Sequence, residues 1–464
     1  MSKVKFGTGG FRAVIGEDFN KENVQLICQA IANIMIRNNL KKEVCIGYDN
    51  RFMSEVFARW GAEVFAGNDI TALMTDCSVS TPVVMYATKV RNNDYGIMIT
   101  ASHNPYEYNG VKAIIKGGKD AGIEETNEIE QELEKINEIN SCEDSELIKY
   151  INYNDEYIDN IINLFELKSL KNLKVVFDNK YGSTAKEIKL LCQKLGITKY
   201  SIINENRDAF FNFKMPAPTI DNISDLQWVV LRDKADIGFA LDADGDRLAV
   251  IDNYGNYIDN NYILAIAYYF LVKYCGKTGN SVKNVATSNL LDIVTNKCGY
   301  DCIEVPVGFK HVFKALLERD AIIGGESSGG LAIHGHVGGK DSLLAISLCL
   351  KAMSVMKKTF KEIFEEVLEF ANNYSKVIMD KQYDYTLEQK EYIDSILNKR
   401  ILPPHRYEIE KIDYQDYIKI YYTNGNWVLI RFSGTEPILR IFAETDSEEE
   451  SLHLIEDWQK LLRV

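Results

Sequence analysis

The sequence predicts a multidomain α/β protein that ends in an α+β domain. The chain has 464 residues, and at roughly 150 residues per domain this length predicts three or four domains. Short β-branched runs alternate with amphipathic helical runs along most of the chain, which is typical of α/β domains. From about Asn372 a strand hairpin and one helix replace this alternation. These changes place the domains at 1–150, 151–258, 259–371 and 372–464, called domains I to IV below.

Domain I opens with apolar residues at helical spacing over 23–36, followed by a strand over 43–48. A second buried strand, 95–100, ends abruptly in Ala-Ser-His-Asn-Pro. An acidic stretch over 124–139 has helical spacing. The polar segment 141–155 is predicted to be a linker.

Domain II is predicted from one complete strand–helix unit. A helix over 155–167 leads into it, the strand covers 173–178, and the following helix covers 184–195. A further strand over 237–241 runs directly into an acidic loop.

Domain III starts near Asn260 with a strongly apolar helix. It also contains a strand at Ile322 and Ile323 that ends in a run of glycines. In domain IV the pair Asn424-Gly425 favours a hairpin turn between two strands. These strands are predicted at 417–422 and 427–432, and the last helix at 448–462.

Composition limits the possible partners. The chain carries 53 Lys and Arg against 67 Asp and Glu, a net charge of −14. Nucleic acids and anionic membranes bind basic surfaces, so neither is expected as a partner.

The longest apolar stretch, 262–272, is too short to cross a bilayer, and no secretory segment is expected. Nine cysteines without a CxxC pair predict reduced thiols in a cytoplasmic protein.

Five loops carry the chemistry, and the first is the serine loop (100–105). Ser102 follows a strand and precedes Asn104-Pro105, so its hydroxyl is expected to be exposed on a rigid turn. His103 beside it can exchange protons. The alternative is an ordinary hydroxyl-stabilised turn. A hydrolase is disfavoured because the loop lacks the pattern Gly-x-Ser-x-Gly.

The second is the aspartate loop (242–247), which contains Asp242, Asp244, Asp246 and Arg247. Three carboxylates at a spacing of two repel one another unless a cation lies among them. Oxygen ligands of this kind suit Mg²⁺ or Ca²⁺. The alternative is a solvated acidic turn.

The other three loops are weaker signals when each is taken alone, because a simple turn explains each of them. In the arginine loop (431–437), a guanidinium, two hydroxyls and a glycine backbone form a phosphate cradle. In the glutamate loop (324–330), glycines let the backbone approach a ligand while Glu326 and a serine bind sugar hydroxyls. The glycine loop (7–12) is similar to an anion-binding loop but has neither dinucleotide nor Walker spacing.

Four further residues have structural interpretations. Asp49 and Arg51 are predicted to brace domain I through hydrogen bonds. His334 and His336 are predicted on one face of a strand, where packing or a hydrogen bond is favoured over a zinc pair.

Taken together and in this order, the five loops resemble those of the α-D-phosphohexomutase family, which includes phosphoglucomutase, phosphomannomutase and phosphoglucosamine mutase. The similarity spans residues 6 to about 444. It implies three tandem related α/β domains and a C-terminal α+β domain around a central active-site cleft. The serine loop would carry the phosphoserine, the aspartate loop the metal, the glutamate loop the sugar and the arginine loop the phosphate.

The resemblance and the positions of neighbouring residues imply individual roles. One Mg²⁺ per subunit is expected, and so is a hexose 1,6-bisphosphate as activator and intermediate. The residues expected at the reacting phosphoryl group are Arg12, Ser102, His103, Lys112, Arg247 and Lys310. The expected metal ligands are Ser102, Asp242, Asp244 and Asp246. The residues expected to bind substrate are Glu326, Ser328, Arg431, Ser433, Gly434 and Thr435.

The implied activity interconverts hexose 1-phosphate and hexose 6-phosphate, of glucose or mannose, through a phosphorylated serine. The stretch 307–310 resembles the Gly-Phe/Trp-Lys version of the family, which points to Lys310 rather than His311 as the proton-transfer partner, with His103 as the alternative. Gly9 departs from the Asp, Ala or Ser that relatives commonly carry. The alternatives are a phosphoglucosamine mutase, a phosphopentomutase, a sugar-bisphosphate synthase, a phosphatase or a non-catalytic phosphosugar-binding relative.

Overall fold

In the computed structural model, the described residues are 4–7, 10–404, 406–414, 418–433 and 438–464. They form four β-sheets, three of mixed strand direction and one fully antiparallel. Helices cover both faces of the three mixed sheets, and two helices pack on the antiparallel sheet. The predicted fold class, three α/β domains followed by an α+β domain, is confirmed.

Domain I contains strands β1 (Phe11–Val14), β2 (Glu43–Tyr48), β3 (Thr71–Thr75), β4 (Tyr95–Ile99), β5 (Tyr108–Ile115), β6 (Lys119–Asp120) and β7 (Ile148–Ile151), with helices α1 (Lys21–Arg37), α2 (Ser54–Gly67), α3 (Thr81–Val90) and α4 (Ile123–Leu133). The strand order is β1-β5-β4-β2-β3-β7, with β6 paired to β5. Strands β4, β2, β3 and β7 are parallel, whereas β5 runs antiparallel to both β1 and β4.

Two sequence expectations in this domain are wrong. The segment predicted as a linker, 141–155, contains β7, which pairs with β3 at the sheet edge, so the predicted boundary at residue 150 falls inside a strand. A short edge strand buries little surface, and its polar neighbours hide it in the sequence. The acidic helix predicted over 124–139 ends at Leu133.

Domain II contains helices α5 (Asn154–Leu164), α6 (Ala185–Leu195) and α7 (Ser224–Asp233), with strands β8 (Lys174–Asp178), β9 (Lys199–Ile203), β10 (Ile237–Leu241), β11 (Leu248–Asp252) and β12 (Tyr257–Ile258) and short 3-10 helices at Phe211–Phe213 and Ile220–Asn222. The strand order is β12-β11-β10-β8-β9. Strands β10, β8 and β9 are parallel, and β11 returns antiparallel to β10.

Domain III contains helices α8 (Asn260–Lys273), α9 (Leu290–Lys297), α10 (Phe309–Glu318), α11 (Ser342–Met356) and α12 (Phe360–Phe370), with strands β13 (Asn280–Asn284), β14 (Cys302–Val305), β15 (Ala321–Gly325) and β16 (Leu331–Ile333). The strand order is β14-β13-β15-β16, and only β16 runs antiparallel to its neighbour. Helices α8 and α11 are apolar on nearly all sides and lie in the core, which explains their near-continuous apolar sequences.

Domain IV contains strands β17 (Val377–Asp384), β18 (Ile409–Tyr414), β19 (Ile418–Tyr422), β20 (Trp427–Phe432) and β21 (Ile438–Thr445), with helices α13 (Leu387–Asn398) and α14 (Glu448–Leu462). All neighbours in the order β17-β21-β20-β19-β18 are antiparallel. The predicted hairpin turn is confirmed, and Gly425 adopts the φ of +79° that favours glycine there. Tyr417, in the strand predicted over 417–422, lies outside the described residues.

One hairpin recurs in each α/β domain, and each copy carries a candidate loop. The hairpins are β4–β5 around the serine loop, β10–β11 around the aspartate loop and β15–β16 around the glutamate loop. The first strand of each hairpin pairs in parallel on its other side, with β2, β8 and β13 respectively. The three loops therefore occupy the same position in three similar sheets, at the carboxyl end of a strand where α/β folds bind ligands.

A single apolar core runs through domains I, II and III. It joins residues of α3, α5, α6, α8 and α11 with strands β8 and β10. A separate cluster holds domain IV against domain III through Trp427, Leu429 and Phe442, which pack on Val285 and Ala286. These contacts bury apolar surface between the domains and so favour their association.

Two further sequence expectations concern the environment of the protein. Among the described helices, none combines the length and the apolar composition that crossing a bilayer requires. The nine cysteines form no disulfide, and four of them are buried.

The interface between domains I and II contains a buried carboxyl group. Glu187 of α6 lies fully inside the protein, and its Oε1 accepts a hydrogen bond from the Ser80 backbone N–H at 2.9 Å. Its Oε2 has no hydrogen-bond donor among the described residues. Burial raises the pKa of Glu187 to about 7 from its ordinary value of 4.5.

This shift predicts a pH dependence of stability. Because the carboxyl group loses its proton at lower pH in the unfolded chain than in the folded protein, raising the pH from about 4.5 to about 7 favours unfolding. Glu187→Gln removes this effect. The difference in unfolding free energy between the variant and the wild type should grow by about 2 kcal/mol from pH 5 to pH 8, measured by chemical denaturation.

The control is Glu156→Gln on the exposed side of α5, which makes the same substitution at a carboxyl group in contact with solvent. A constant difference for Glu187→Gln would contradict the assignment.

Candidate active site

The serine loop is held in place by one buried arginine. Arg51 is completely buried, and its Nε lies 3.3 Å from Asp49 Oδ2. Its terminal nitrogens donate to the backbone carbonyl oxygens of Ser102 (2.6 Å), Asn104 (2.6 Å), Pro105 (2.8 Å) and Tyr108 (3.0 Å). The prediction that Asp49 and Arg51 brace domain I is confirmed, and the backbone they hold is the serine loop itself.

Ser102 points its hydroxyl at the aspartate loop of the next domain. Its φ of +51° lies in the left-handed region, and its N–H donates to Thr100 Oγ1 at 2.8 Å. The Ser102 hydroxyl donates to Asp242 Oδ2 at 2.8 Å, and both side chains are buried. The expectation of an exposed hydroxyl is therefore wrong, because the aspartate loop of domain II covers the serine loop. The structure therefore brings the predicted nucleophile and the predicted metal ligands together.

The aspartate loop gathers three buried carboxylates around one point. Asp242 Oδ1 accepts backbone N–H groups of Asp246 (2.9 Å) and Arg247 (3.0 Å), which turns the loop back on itself. Each aspartate offers one oxygen, and these oxygens lie within 4.8 Å of one another. The Oδ1 atoms of Asp244 and Asp246 are buried without a hydrogen-bond donor among the described residues. Unsatisfied hard oxygen ligands at this spacing fit a Mg²⁺ or Ca²⁺ ion.

Lys112, on β5, balances part of this negative charge. Its Nζ lies 2.6 Å from Asp244 Oδ2 and 2.9 Å from Asp246 Oδ2. Burial alone would lower the pKa of Lys112, but Asp244 and Asp246 outweigh burial and raise it above its ordinary value. Lys112 is therefore a fixed cation rather than a proton acceptor.

The pKa values of the aspartates diverge. Burial, together with Asp246 and Asp244, raises the pKa of Asp242 well above its usual range. Burial acts in the same direction on Asp246, but Lys112, Lys340 and Arg247 outweigh it and hold the pKa of Asp246 well below its usual range. The cluster is thus charged unevenly, with its negative charge concentrated beside the cations.

Arg12 and Arg247 present unused donors to the same space. Arg12 Nη1 donates to Asn104 Oδ1 at 2.7 Å, and burial lowers the pKa of Arg12, partly opposed by Asp244. Arg247 Nε lies 3.8 Å from Asp246 Oδ1. The Nε atoms of both arginines are buried without an acceptor among the described residues. Two guanidinium groups with unused donors beside a serine hydroxyl suit a phosphoryl group.

His103 is neutral at neutral pH. Burial lowers its pKa well below 6.5, and the nearby Arg247 and Arg12 lower it further. Its Nδ1 lies 3.3 Å from Ser102 Oγ. A neutral imidazole at this position can accept a proton.

The glutamate loop meets the turn that precedes α10, the helix in which Lys310 lies. Glu326 Oε1 accepts from the Gly308 backbone N–H (3.1 Å) and from Asn284 Nδ2 (3.2 Å). Lys310 lies in the first turn of α10, where burial lowers its pKa and Glu125 of domain I opposes the effect. Among the described residues, neither Lys310 nor the half-buried Ser328 contacts Ser102 or the aspartates through a hydrogen bond or ion pair.

Two arginines on neighbouring strands flank the arginine loop. Arg431 on β20 lies opposite Arg440 on β21. Burial and Arg440 lower the pKa of Arg431 to about 10, while Glu326 opposes them, so Arg431 stays charged at neutral pH. The Ser433 N–H donates to the Ile438 carbonyl at 2.7 Å and closes the loop. Gly434 and Thr435 lie outside the described residues.

Comparison with known proteins settles the family. Residues 3–140, 155–255 and 259–370 match the alpha/beta/alpha domains I, II and III of phosphoglucomutase/phosphomannomutase, and residues 393–458 match its C-terminal domain. A phosphoglucomutase/phosphomannomutase from Thermococcus kodakarensis is 30% identical, with 98% of both chains covered. The chain belongs to the phosphoglucomutase/phosphomannomutase family. The resemblance drawn from the five loops and the predicted enzyme class, an intramolecular phosphotransferase, are confirmed.

Other relatives carry the names of mutases that act on different sugar phosphates. A phosphoglucosamine/phosphogalactosamine mutase from Sulfurisphaera tokodaii is 28% identical over 98% of both chains. A candidate phosphomannomutase from Thermus thermophilus superposes with a TM-score of 0.86, at 26% identity and full coverage of both chains. The phosphoglucomutase parafusin from Paramecium, in an open form, has the same fold, with a TM-score of 0.81 at 21% identity over 99% of this chain and 94% of its own.

Within this phosphohexomutase site, sequence reasoning missed Lys340. Its Nζ lies 3.5 Å from Asp246 Oδ1. Its side chain passes over Gly330, where an added Cβ would lie 2.0 Å from Lys340 Cδ. The sequence offers only a weak signal for this role. Lys340 follows two glycines and precedes Asp341, which caps the apolar helix α11. Domain III thus contributes a cation directly to the aspartate loop of domain II.

The histidines do not form a zinc pair. His336 is buried, with Nε2 2.7 Å from Asp341 Oδ2 and Nδ1 3.0 Å from Asn160 Nδ2. Both His334 and His336 follow β16, so the expectation that they lie in a strand is wrong. The expectation of a hydrogen bond instead of a zinc pair is confirmed for His336. Throughout the described ranges, the three aspartates are the one cluster of at least three side chains spaced to hold a metal ion.

The contacts of Arg51 predict that the serine loop becomes more mobile when this guanidinium group is replaced. Lysine has fewer donors and no planar fork, so Arg51→Lys cannot hold four carbonyl groups. Amide hydrogen exchange in the peptide covering 102–108 should accelerate by at least about tenfold in this variant. Arg59→Lys on α2, whose guanidinium pairs with Glu63, is the matched control and should leave this peptide unchanged. Equal protection in Arg51→Lys and the wild type would show that the guanidinium does not fix the loop.

Proposed function

We propose that the protein interconverts hexose 1-phosphate and hexose 6-phosphate, with glucose or mannose as the sugar, through a phosphorylated Ser102. The observation that carries the proposal is the set of unused polar atoms around the Ser102 hydroxyl. Among the described residues, Asp244 Oδ1 lacks a hydrogen-bond donor and Arg12 Nε lacks an acceptor. Asp246 Oδ1 and Arg247 Nε make no hydrogen bond there either, and have only ion-pair contacts, 3.8 Å from each other and 3.5 Å from Asp246 Oδ1 to Lys340 Nζ. Buried polar atoms are rarely left unpaired. A phosphoryl group and a divalent cation would satisfy all four.

The set of oxygen ligands fits Mg²⁺. Asp242, Asp244 and Asp246 would hold it together with an oxygen carried on Ser102, and the cluster itself consists of oxygen ligands alone. When bound, Mg²⁺ would offset the negative charge that develops on the phosphoryl group during transfer. One ion per subunit is proposed.

The transfer step exchanges one P–O bond for another. A free hydroxyl of the sugar attacks the phosphorus on Ser102, a new P–O bond forms to the sugar, and the bond to Ser102 Oγ breaks with its electron pair remaining on that oxygen. Arg12 and Arg247 are placed to bind the equatorial oxygens through their unused donors. The product of this step is a hexose 1,6-bisphosphate.

The sugar hydroxyl must also lose its proton. Lys112 is held as a cation by two aspartates and cannot accept it. His103 is neutral and adjacent to Ser102, and burial makes Lys310 easier to deprotonate than an ordinary lysine, since it lowers the pKa. The contact with Ser102 supports His103 as the acceptor, and the lowered pKa supports Lys310.

The opposite end of the substrate would be held in domain IV. Arg431, whose guanidinium group makes no hydrogen bond with the other described residues, would bind the non-reacting phosphate with Ser433, Gly434 and Thr435. Glu326, whose charge influences the pKa of Arg431, and Ser328 would bind sugar hydroxyls. After the first transfer the bisphosphate reorients, the former anchor phosphate reaches Ser102, and the second transfer restores the phosphorylated enzyme.

A second candidate is the same chemistry on glucosamine phosphate, because the Sulfurisphaera relative is a phosphoglucosamine/phosphogalactosamine mutase. In either case the proposed partner is a small phosphosugar, and neither nucleic acid nor a membrane is involved. A cytoplasmic location agrees with nine unpaired cysteines.

The proposal is tested with a substrate panel and one variant. The purified protein is assayed on the 1-phosphates of glucose, mannose and glucosamine, with Mg²⁺ and a trace of the matching bisphosphate. Ser102→Ala should fold normally and lose at least about 1,000-fold in kcat, because the group that carries the phosphoryl is gone. Ser141→Ala, an exposed serine in domain I, is the control and should retain full activity.

Wild-type rates in Ser102→Ala would refute the role of this serine. Faster turnover of glucosamine phosphate would select the second candidate. Sustained release of inorganic phosphate would indicate a phosphatase, and stable phosphoserine without turnover would indicate a binding protein.

A further inference from the structure

Two helices from different domains begin at the aspartate loop. Helix α3 of domain I starts at Thr81, whose backbone N–H donates to the Asp244 carbonyl at 2.8 Å. Helix α11 of domain III starts at Ser342, whose N–H and Oγ both donate to the Gly245 carbonyl, at 3.2 and 2.7 Å. The loop of domain II is therefore hydrogen-bonded from both sides by its neighbours.

The turn at Gly245 leaves no room for the loop to shift. Gly245 has a φ of +69°, in the left-handed region. A Cβ at this position would lie 2.3 Å from Thr184 Cγ2 and 3.0 Å from Ser80 Cβ. Glycine is thus required both by its backbone conformation and by the approach of Thr184 in its own domain and, less closely, of Ser80 in domain I.

Both helix starts are themselves held by buried groups. At α3, the Ser80 N–H donates to Glu187 of domain II. At α11, Asp341 accepts the Leu344 N–H at 3.0 Å, and the Tyr157 hydroxyl donates to the same carboxylate at 2.8 Å. The donors that reach the aspartate loop are therefore fixed before any ligand arrives.

One of these contacts decides which oxygen of Asp244 is used. The Thr81 hydroxyl donates to Asp244 Oδ2 at 2.6 Å, and Lys112 binds the same oxygen. Asp244 Oδ1 remains buried without a donor among the described residues. The Thr81 hydroxyl and Lys112 together orient the carboxylate so that Oδ1 is the oxygen left for a cation.

We propose that Thr81 is a positioning residue for the metal site, which sets the orientation of Asp244 from the neighbouring domain. Ser342 fixes the adjacent turn from the other side, so cation binding in domain II depends on the docking of domains I and III. Hydrogen-bond partners of metal ligands typically contribute about 10- to 100-fold to metal affinity. This inference rests on the proposed magnesium site.

The test is the affinity for Mg²⁺ itself, measured by isothermal titration calorimetry on the full chain with Ser102 dephosphorylated. Thr81→Val keeps the shape of the side chain and removes the hydroxyl, and it should weaken Mg²⁺ binding by about tenfold or more. Thr81→Ser restores the hydroxyl and should bind within about threefold of the wild type.

Thr88→Val is the matched control. Thr88 is in the same helix and equally buried, but its hydroxyl donates to the Val84 carbonyl of its own helix at 2.8 Å. Its Mg²⁺ affinity should equal that of the wild type.

Three results would overturn the inference. Wild-type Mg²⁺ affinity in Thr81→Val, or equal losses in Thr81→Val and Thr88→Val, would overturn the positioning role alone. If the wild-type protein binds no Mg²⁺, the proposed magnesium site fails and this inference fails with it.

Discussion

The hydrogen bond from the Ser102 hydroxyl to Asp242 is the contact on which the site depends, because it joins the proposed phosphoryl-carrying serine of one domain to the acidic loop of the next. A loop held by Arg51 aims the hydroxyl, and a loop held by Thr81 and Ser342 presents the carboxylate. Each half of this contact is therefore fixed by hydrogen bonds that a substrate does not have to form. Preorganisation of this kind lowers the cost of reaching a charged transition state.

The electrostatics follow from the same arrangement. Three buried carboxylates are costly unless cations accompany them. Lys112 and Lys340 supply fixed positive charge from domains I and III, and two arginines add donors that remain unused among the described residues. An acidic chain of net charge −14 thus gathers four cations around its aspartate loop, where the proposed phosphoryl group would complete the charge balance. The repeated hairpin explains how three domains deliver their loops to one place: each loop follows a strand at the same position of its sheet.

Much of this was readable from the sequence, because the deciding signals are local. The bounds of β2, β10, β20 and α14 agree with those predicted, and the loops after β4, β10 and β15 were found where strands end in polar residues. Edge strand β7 was missed because a polar segment hides it. The roles of Arg51, Lys340 and Thr81 depend on contacts between residues far apart in the chain. No single sequence pattern reveals that Thr81 lies against Asp244, 163 positions away.

Ser102 and the three aspartates are proposed to form one centre around a phosphoryl group and a metal ion. Anomalous scattering from Mn²⁺, in crystals of the protein phosphorylated at Ser102, tests this arrangement. One peak per chain is expected, with oxygen ligands from Asp242, Asp244, Asp246 and the phosphate on Ser102. A peak elsewhere, or a phosphate on Ser102 turned away from the aspartates, would contradict it.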